Sequence, residues 1–322
     1  MGTEATVWLR RRWYAFWFTP TEATNLALTR IVLYAGIMVV YPCLPISNED
    51  VVFLPRWGDV PAYFMHPVSF FSWLRIWVPS YEILQLLEWL FYVTMATSCI
   101  GIWTRTSTSI VFILGLFLWG IPQNFGKVYH TETIPVLVFG IMACSRCGDV
   151  YSIDSLCSRR RKLRSTLVYQ KRSDYTWPIR LAWVLIAMSV LAAGISKVSL
   201  GGWQWLVSDQ MKWNIISHHY GGYGLPKWPL KIVRESWFSS GLAWGTVAVE
   251  LAGPLILVSP RLRLIIVPTL VLMQVGIWLL MGVGFTLWLV CYVVFVPWDI
   301  ILQRLRSKLP NYVAPATMSP CP

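Results

Sequence analysis

The sequence predicts an all-α integral membrane protein, a bundle of about eight transmembrane helices with amphipathic extracytoplasmic segments. Three observations carry this. First, 56% of the 322 residues are hydrophobic and 13% are charged, roughly half the ~25% charge of a soluble domain; the mean hydropathy is +0.55. Second, eight windows approach the roughly 20 apolar residues needed to cross a bilayer: 26–46, 83–103, 107–126, 133–150, 178–199, 241–259, 262–283 and 284–303. Third, eight crossings put the arginine- and lysine-rich segments on one side.

Those basic segments are Arg10-Arg11-Arg12, Arg105, the run Arg159-Arg160-Arg161-Lys162 with Arg164, Lys171-Arg172, Arg261 with Arg263, and Arg304, Arg306 and Lys308. The excess of Lys and Arg marks that side as cytoplasmic, with both termini on it. The net charge of +12 is then an orientation signal, and nucleic-acid binding is not expected. Residues 1–19 mix arginine with Trp8, Trp13, Phe16 and Trp17 and suit a helix lying in the headgroup layer. Pro20-Thr21-Glu22 then opens the first span. Residues 20–308 form the membrane domain and 309–322 a short cytoplasmic tail. No short apolar core with a small-residue cleavage site follows the basic N-terminus, so no cleavable signal peptide is expected. Many of the 20 tryptophans fall near span ends, as an aromatic belt requires.

Within each span the reading follows charge and helix breakers. The fourth window is interrupted by Pro135 and Arg146. The last two read either as two spans or as one hairpin broken at Gly282-Val283-Gly284. Arg30 and Arg180 lie near the cytoplasmic ends of their spans, where a long side chain reaches the headgroups. Glu88 and Glu250 lie deeper and need partners or a proton. Lys197 ends the fifth span in Ala193-Gly194-Ile195-Ser196-Lys197-Val198. A cation there reads in two ways. It is a desolvated amine able to act as a base, or an anchor whose ammonium snorkels to the surface.

All four histidines fall outside the spans, on the face opposite the basic loops: His66, His130, His218 and His219. Together with Lys197 they gather proton-exchanging groups on the extracytoplasmic side. Residues 60–79 and 203–238 are semi-apolar and read as helices or re-entrant pieces over the bundle mouth. They either roof a pocket for a lipid-soluble ligand or simply pack at the interface. Cysteines carry little. Only Cys43 lies near the outer face, so no extracytoplasmic disulfide is expected. Cys144-Ser145-Arg146-Cys147 is a lone CxxC, a weak redox or metal signal. No metal is predicted, and the chain has no phosphate-binding glycine loop, HExxH or GxSxG. No inverted repeat is visible either.

Three stretches together resemble a known family. They are Ala193–Val198 followed by Gly202-Trp203; His130 opening the fourth span, with Gly148–Leu156 at its end; and Glu250-Leu251-Ala252-Gly253. Over residues 20–305 their order and spacing resemble the membrane part of vitamin K-dependent gamma-carboxylase and its bacterial HTTM relatives. The resemblance implies a chemistry. Lys197 is the base that deprotonates a reduced vitamin K or menaquinone-type quinol, with His130 in the same site. Oxygen then adds, an extracytoplasmic substrate is carboxylated, and the quinone leaves as its epoxide. Trp203, His218, His219 and Glu250 are the candidate substrate-binding residues. The implied partners are the lipid bilayer, a lipid-soluble quinone and an unknown extracytoplasmic substrate. The chain also departs from the family. Leu272-Met273-Gln274-Val275 stands where the carboxylase has His-x-x-Asn, Tyr129 stands where it has Asn, and the β-rich domain after the bundle is missing. The other expectation is a non-catalytic membrane protein: a transporter, a lipid-binding protein or an assembly partner of a redox protein.

Overall fold

The computed structural model describes residues 2–41, 72, 78–125, 131–159, 171–207, 209–220 and 227–308. Among them the chain is helical, with one isolated bridge (Thr21 to Arg172) and no strand. The helices are α1 (Gly2–Phe18), α2 (Ala23–Val40), α3 (Tyr81–Ile100), α4 (Thr104–Leu118), α5 (Thr133–Cys144), α6 (Ile153–Arg159), α7 (Thr176–Val207), α8 (Gln210–Tyr220), α9 (Trp228–Val233), α10 (Ser236–Leu251), α11 (Leu255–Val258), α12 (Pro260–Met281), α13 (Thr286–Cys291) and α14 (Trp298–Ser307).

Among the described residues five helices are long and apolar enough to cross a membrane: Ala23–Val40, Tyr81–Ile100, Thr104–Asn124, Ser173–Val207 and Pro260–Met281. A bent pair, Thr286–Phe295 with Trp298–Leu305, brings the number to six if it is one span. The other windows of the eight hold shorter or broken helices, each with a local cause. Of the fourth window, α5 fills 12 residues, roughly 18 Å of rise. Pro135 does not break it, because it occupies the first turn, where backbone N–H groups have no helical acceptor. Arg146 lies beyond the helix and pairs with Asp174 at 3.6 Å. In the sixth window, Ala252-Gly253-Pro254 separates α10 from α11. The eighth bends by 69° at Pro297, whose ring drives Val296 to an extended ψ of 124°. Helix α14 then starts against the first turn of α2, where the Asp299 N–H donates to Asn25 Oδ1 at 2.9 Å.

Consecutive helices α2 to α5 pack on one another, and α13 inserts between α2 and α5. The approach of α2 to α13 is close: a Cβ on Gly36 would lie 2.7 Å from Val290. The core holds Leu33, Tyr34, Phe91, Met95, Phe139 and Trp288, with Tyr34 stacked on Phe139 at 5.3 Å. Glu88 finds its partner in the Tyr41 hydroxyl, which donates to Oε1 at 3.0 Å.

Thr21, before α2, bridges to Arg172, just before α7, and the starts of α2, α7 and α12 border one cavity, so Arg172, Arg180 and Arg263 lie at one end of the bundle. Arg30 does not snorkel, contrary to the sequence reading. It is fully buried. Its guanidinium donates to the carbonyls of Cys147 (3.1 Å), Tyr151 (2.6 Å) and Cys99 (3.5 Å), saturating backbone groups where α3 and α5 end. Asp154 caps α4 from a distance. Its carboxylate accepts from the Trp103 and Thr104 N–H groups at 3.0 and 2.7 Å and from the Thr104 hydroxyl at 2.8 Å. The Tyr175 hydroxyl donates to Asp149 at 2.9 Å. The stretch 148–156 is therefore a clamp joining α3, α4, α5 and α7.

Partial burial raises the affinity of the Asp154 carboxyl for a proton, but the hydrogen bonds from Thr104 and Trp103 more than offset this and hold it below the usual carboxylate range. The stability it contributes is present above the unfolded value of about 3.9 and is lost as pH falls through the lower folded-state value. Asp154→Asn keeps the shape but sets a donor against N–H donors. It should lower stability at neutral pH by about 1 kcal/mol, the scale of a lost cap. Unfolding midpoints in detergent should show this gap closing as pH falls below the ordinary carboxylate range; a gap independent of pH contradicts capping by the carboxylate.

Candidate functional site

Helix α7 carries the site. It starts with Pro178 in its first turn and runs apolar through Ala182, Ile186 and Val190, all buried. Lys197 comes 17 residues after Arg180, roughly 25 Å along the axis. It therefore sits toward the end of the bundle opposite the basic segments, close to a full hydrocarbon thickness of ~30 Å away.

Helices α10 and α11 run antiparallel to α7 along this length. Trp203 meets Trp244 edge-on at 5.2 Å, Lys197 meets Glu250, and Gly253 lies against the Ala187 carbonyl and Val190. Farther down, Arg263 donates to the Ile256 carbonyl at 3.1 Å and covers Trp183. Two glycines permit the approach. A Cβ on Gly194 would lie 3.0 Å from Glu250 Cβ and 3.2 Å from the Leu251 nitrogen; one on Gly253 would lie 3.1 Å from the Ala187 oxygen. The sequence stretches 193–198 and 250–253 are the two sides of one helix crossing.

At that crossing Lys197 Nζ donates to both Glu250 oxygens, at 2.5 and 2.7 Å. The Glu250 side chain is 6% exposed and that of Lys197 26%. Burying a carboxylate in an apolar bundle is costly unless a cation and hydrogen bonds compensate, and here both oxygens are satisfied. The pair thus has a covered side, the carboxylate, and an open side, the ammonium. Above it the helix kinks. Gly202 takes φ +58° and ψ −159°, a left-handed backbone suited to glycine. A Cβ on Gly201 would lie 2.7 Å from Trp205 Cβ. Together these glycines fold the Trp205 ring back to 5.6 Å from Lys197 Nζ, within cation–π range.

Of the other expected site residues, Trp203 is 65% exposed and joins α7 to α10. His218 and His219 lie in the last turn of α8, which packs on α7, α10 and α12. Their Nδ1 atoms are 2.7 and 2.8 Å from the carbonyls of Asn214 and Ile215, one turn back. His130 and His66 lie outside the described residues, as do Cys43 and nearly all of 60–79. Cys144 is exposed and Cys147 buried, both as free thiols. Among the described residues no group of three His, Cys, Asp or Glu side chains is placed to hold a metal. Glu250 is the partner of Lys197 rather than a separate contact. Trp205 is the residue that sequence reasoning missed; its only signal was a glycine pair just before an aromatic one.

No protein-family model, curated protein or solved structure matches the chain.

The crossing makes a steric prediction. Gly194→Val should force α7 and α10 apart and cost about 1–3 kcal/mol, the range of overpacked cores. Gly245→Ala, on α10 with nothing within 4 Å, should leave the unfolding midpoint within about 0.5 kcal/mol of wild type. Equal effects at both positions contradict the close approach.

Proposed function

We propose that the chain is a membrane-embedded enzyme of the gamma-carboxylase-like type. It acts through the Lys197–Glu250 pair on a reduced quinone or similar lipid-soluble substrate at the extracytoplasmic face, with carboxylation as the coupled reaction. One observation supports this most: a bidentate ammonium–carboxylate pair at a glycine-lined helix crossing, open on the lysine side and flanked by Trp205 and Trp203. Flat, apolar rings beside an open cation suit an aromatic headgroup bearing a hydroxyl.

The proton accounting favours the pair over the lysine alone. The Lys197 proton passes to Glu250, and the freed amine takes the substrate hydroxyl proton. The substrate O–H bond breaks and an N–H bond forms. The products are an aryloxide, the Lys197 ammonium beside it and a neutral Glu250 carboxyl group. A reduced quinone held there would supply the electrons for reaction with molecular oxygen. Eight crossings, with the short and bent segments counted as passes and both termini cytoplasmic, fit the gathering of basic residues at one end.

A second reading rests on the completeness of the same pair. Glu250 and Lys197 satisfy each other, as a structural latch requires, and a non-catalytic transporter, lipid-binding protein or assembly partner needs nothing more.

The test is the oxygenation half-reaction: purified protein, reduced naphthoquinone and oxygen, with epoxide scored by mass spectrometry. Wild type should form epoxide. Lys197→Ala and Glu250→Gln should each lose about 100-fold or more, the scale of a lost acid–base group. No epoxide from wild type that is well folded contradicts the oxygenase reading and favours the latch.

A further inference from the structure

A cavity of 550 Å³ opens at the basic end, between the starts of α2, α7 and α12 and the Pro297 bend. Its polar lining includes Arg180, Arg263 and Asn25, and its apolar lining Val267, Phe295 and Ile300. Both guanidinium carbons lie against the ring of Trp183, Arg180 at 4.2 Å and Arg263 at 3.6 Å. Arg180 also lies over Phe16 of α1 at 5.2 Å. Neither arginine has a carboxylate within ion-pair distance among the described residues. Asp299 lines the same cavity, but its Oδ1 accepts from the Ile300 N–H at 2.9 Å, turning it onto its own helix.

Two cations sharing one ring repel each other, and partial burial weakens the screening by water. A fold that holds them together beside an apolar chamber gains from an anion with several acceptor oxygens. Thr29 also lines the cavity, but its hydroxyl is enclosed by protein, so the two guanidiniums are the groups offered to a ligand. The cavity opens at the depth where the interfacial helix α1 meets α7, the level of phospholipid headgroups on the basic side.

We propose that this cavity binds a phosphate group through the Arg180 and Arg263 guanidiniums. The apolar wall fits the acyl chain of an anionic phospholipid; a free phosphate would use the same cations without it. The site does not depend on the proton chemistry at Lys197.

The experiment is native mass spectrometry of the purified chain, offered phosphatidylglycerol or phosphatidylcholine, with inorganic phosphate in a parallel thermal-shift arm. Wild type should retain one phosphatidylglycerol in preference to phosphatidylcholine. Arg180→Gln with Arg263→Gln should weaken that retention roughly tenfold or more, as losing charge-assisted hydrogen bonds implies. Val267→Phe, which fills the cavity and keeps both charges, should weaken it too, and carries the test if the arginine variant does not fold. Arg10→Gln with Arg11→Gln and Arg12→Gln removes more charge from the same face and should leave the adduct in place. Stabilisation by millimolar phosphate that is lost with the two arginines, without lipid retention, would assign the phosphate site to a free anion. Equal retention of both lipids with no phosphate response, or loss with the Arg10–Arg12 triple variant as large as with the arginine pair, would overturn the proposal.

Discussion

The upper half of the bundle depends on one constraint: a carboxylate placed inside an apolar helix crossing must meet a cation. Glu250 is nearly inaccessible, and Lys197 answers it with both oxygens in reach. The geometry around the pair follows. The helices must approach closely enough for a lysine to span the gap, so Gly194 and Gly253 stand where a side chain would hold them apart. Removing one partner strands a buried charge, which in proteins costs about 3–5 kcal/mol. The crossing is therefore stable only as a pair.

The opposite end is organised by the same physics with different groups. There the buried cation is Arg30, and its compensation comes from backbone carbonyls rather than a carboxylate. Asp154 and Asp149 are bound by N–H and O–H donors instead of cations. Each of these groups makes its contacts within the protein. Arg180 and Arg263 follow this pattern only in part: Arg263 gives one N–H to the Ile256 carbonyl, and otherwise both guanidiniums lie on Trp183 at the cavity wall. The two ends thus differ from the rest of the bundle in having cations left to offer.

Much of the fold was legible because composition and window length report burial in lipid directly. The helix class and the apolar segments follow from local sequence. The breaks at Pro254 and Pro297 do not show in a hydropathy window. Both prolines were visible, and at Pro297 the steric effect on the preceding Val296 accounts for the 69° bend. The candidate site was half legible. Lys197 and Glu250 stood out individually as charges in apolar runs, and Gly194 and Gly253 as small residues beside them. Their pairing across 53 positions is a tertiary fact with no local signal. Arg30 was misread for the same reason, because its acceptors belong to the ends of two other helices.

The central claim is that Lys197 and Glu250 act as one unit. A double-mutant cycle with Lys197→Met and Glu250→Gln, read as unfolding free energy in detergent, tests it most directly. The account predicts that each single change destabilises strongly and that the double change costs less than their sum, with a coupling of about 1–3 kcal/mol. Losses that add to within about 0.5 kcal/mol would contradict it, since two residues that do not sense each other cannot share a proton.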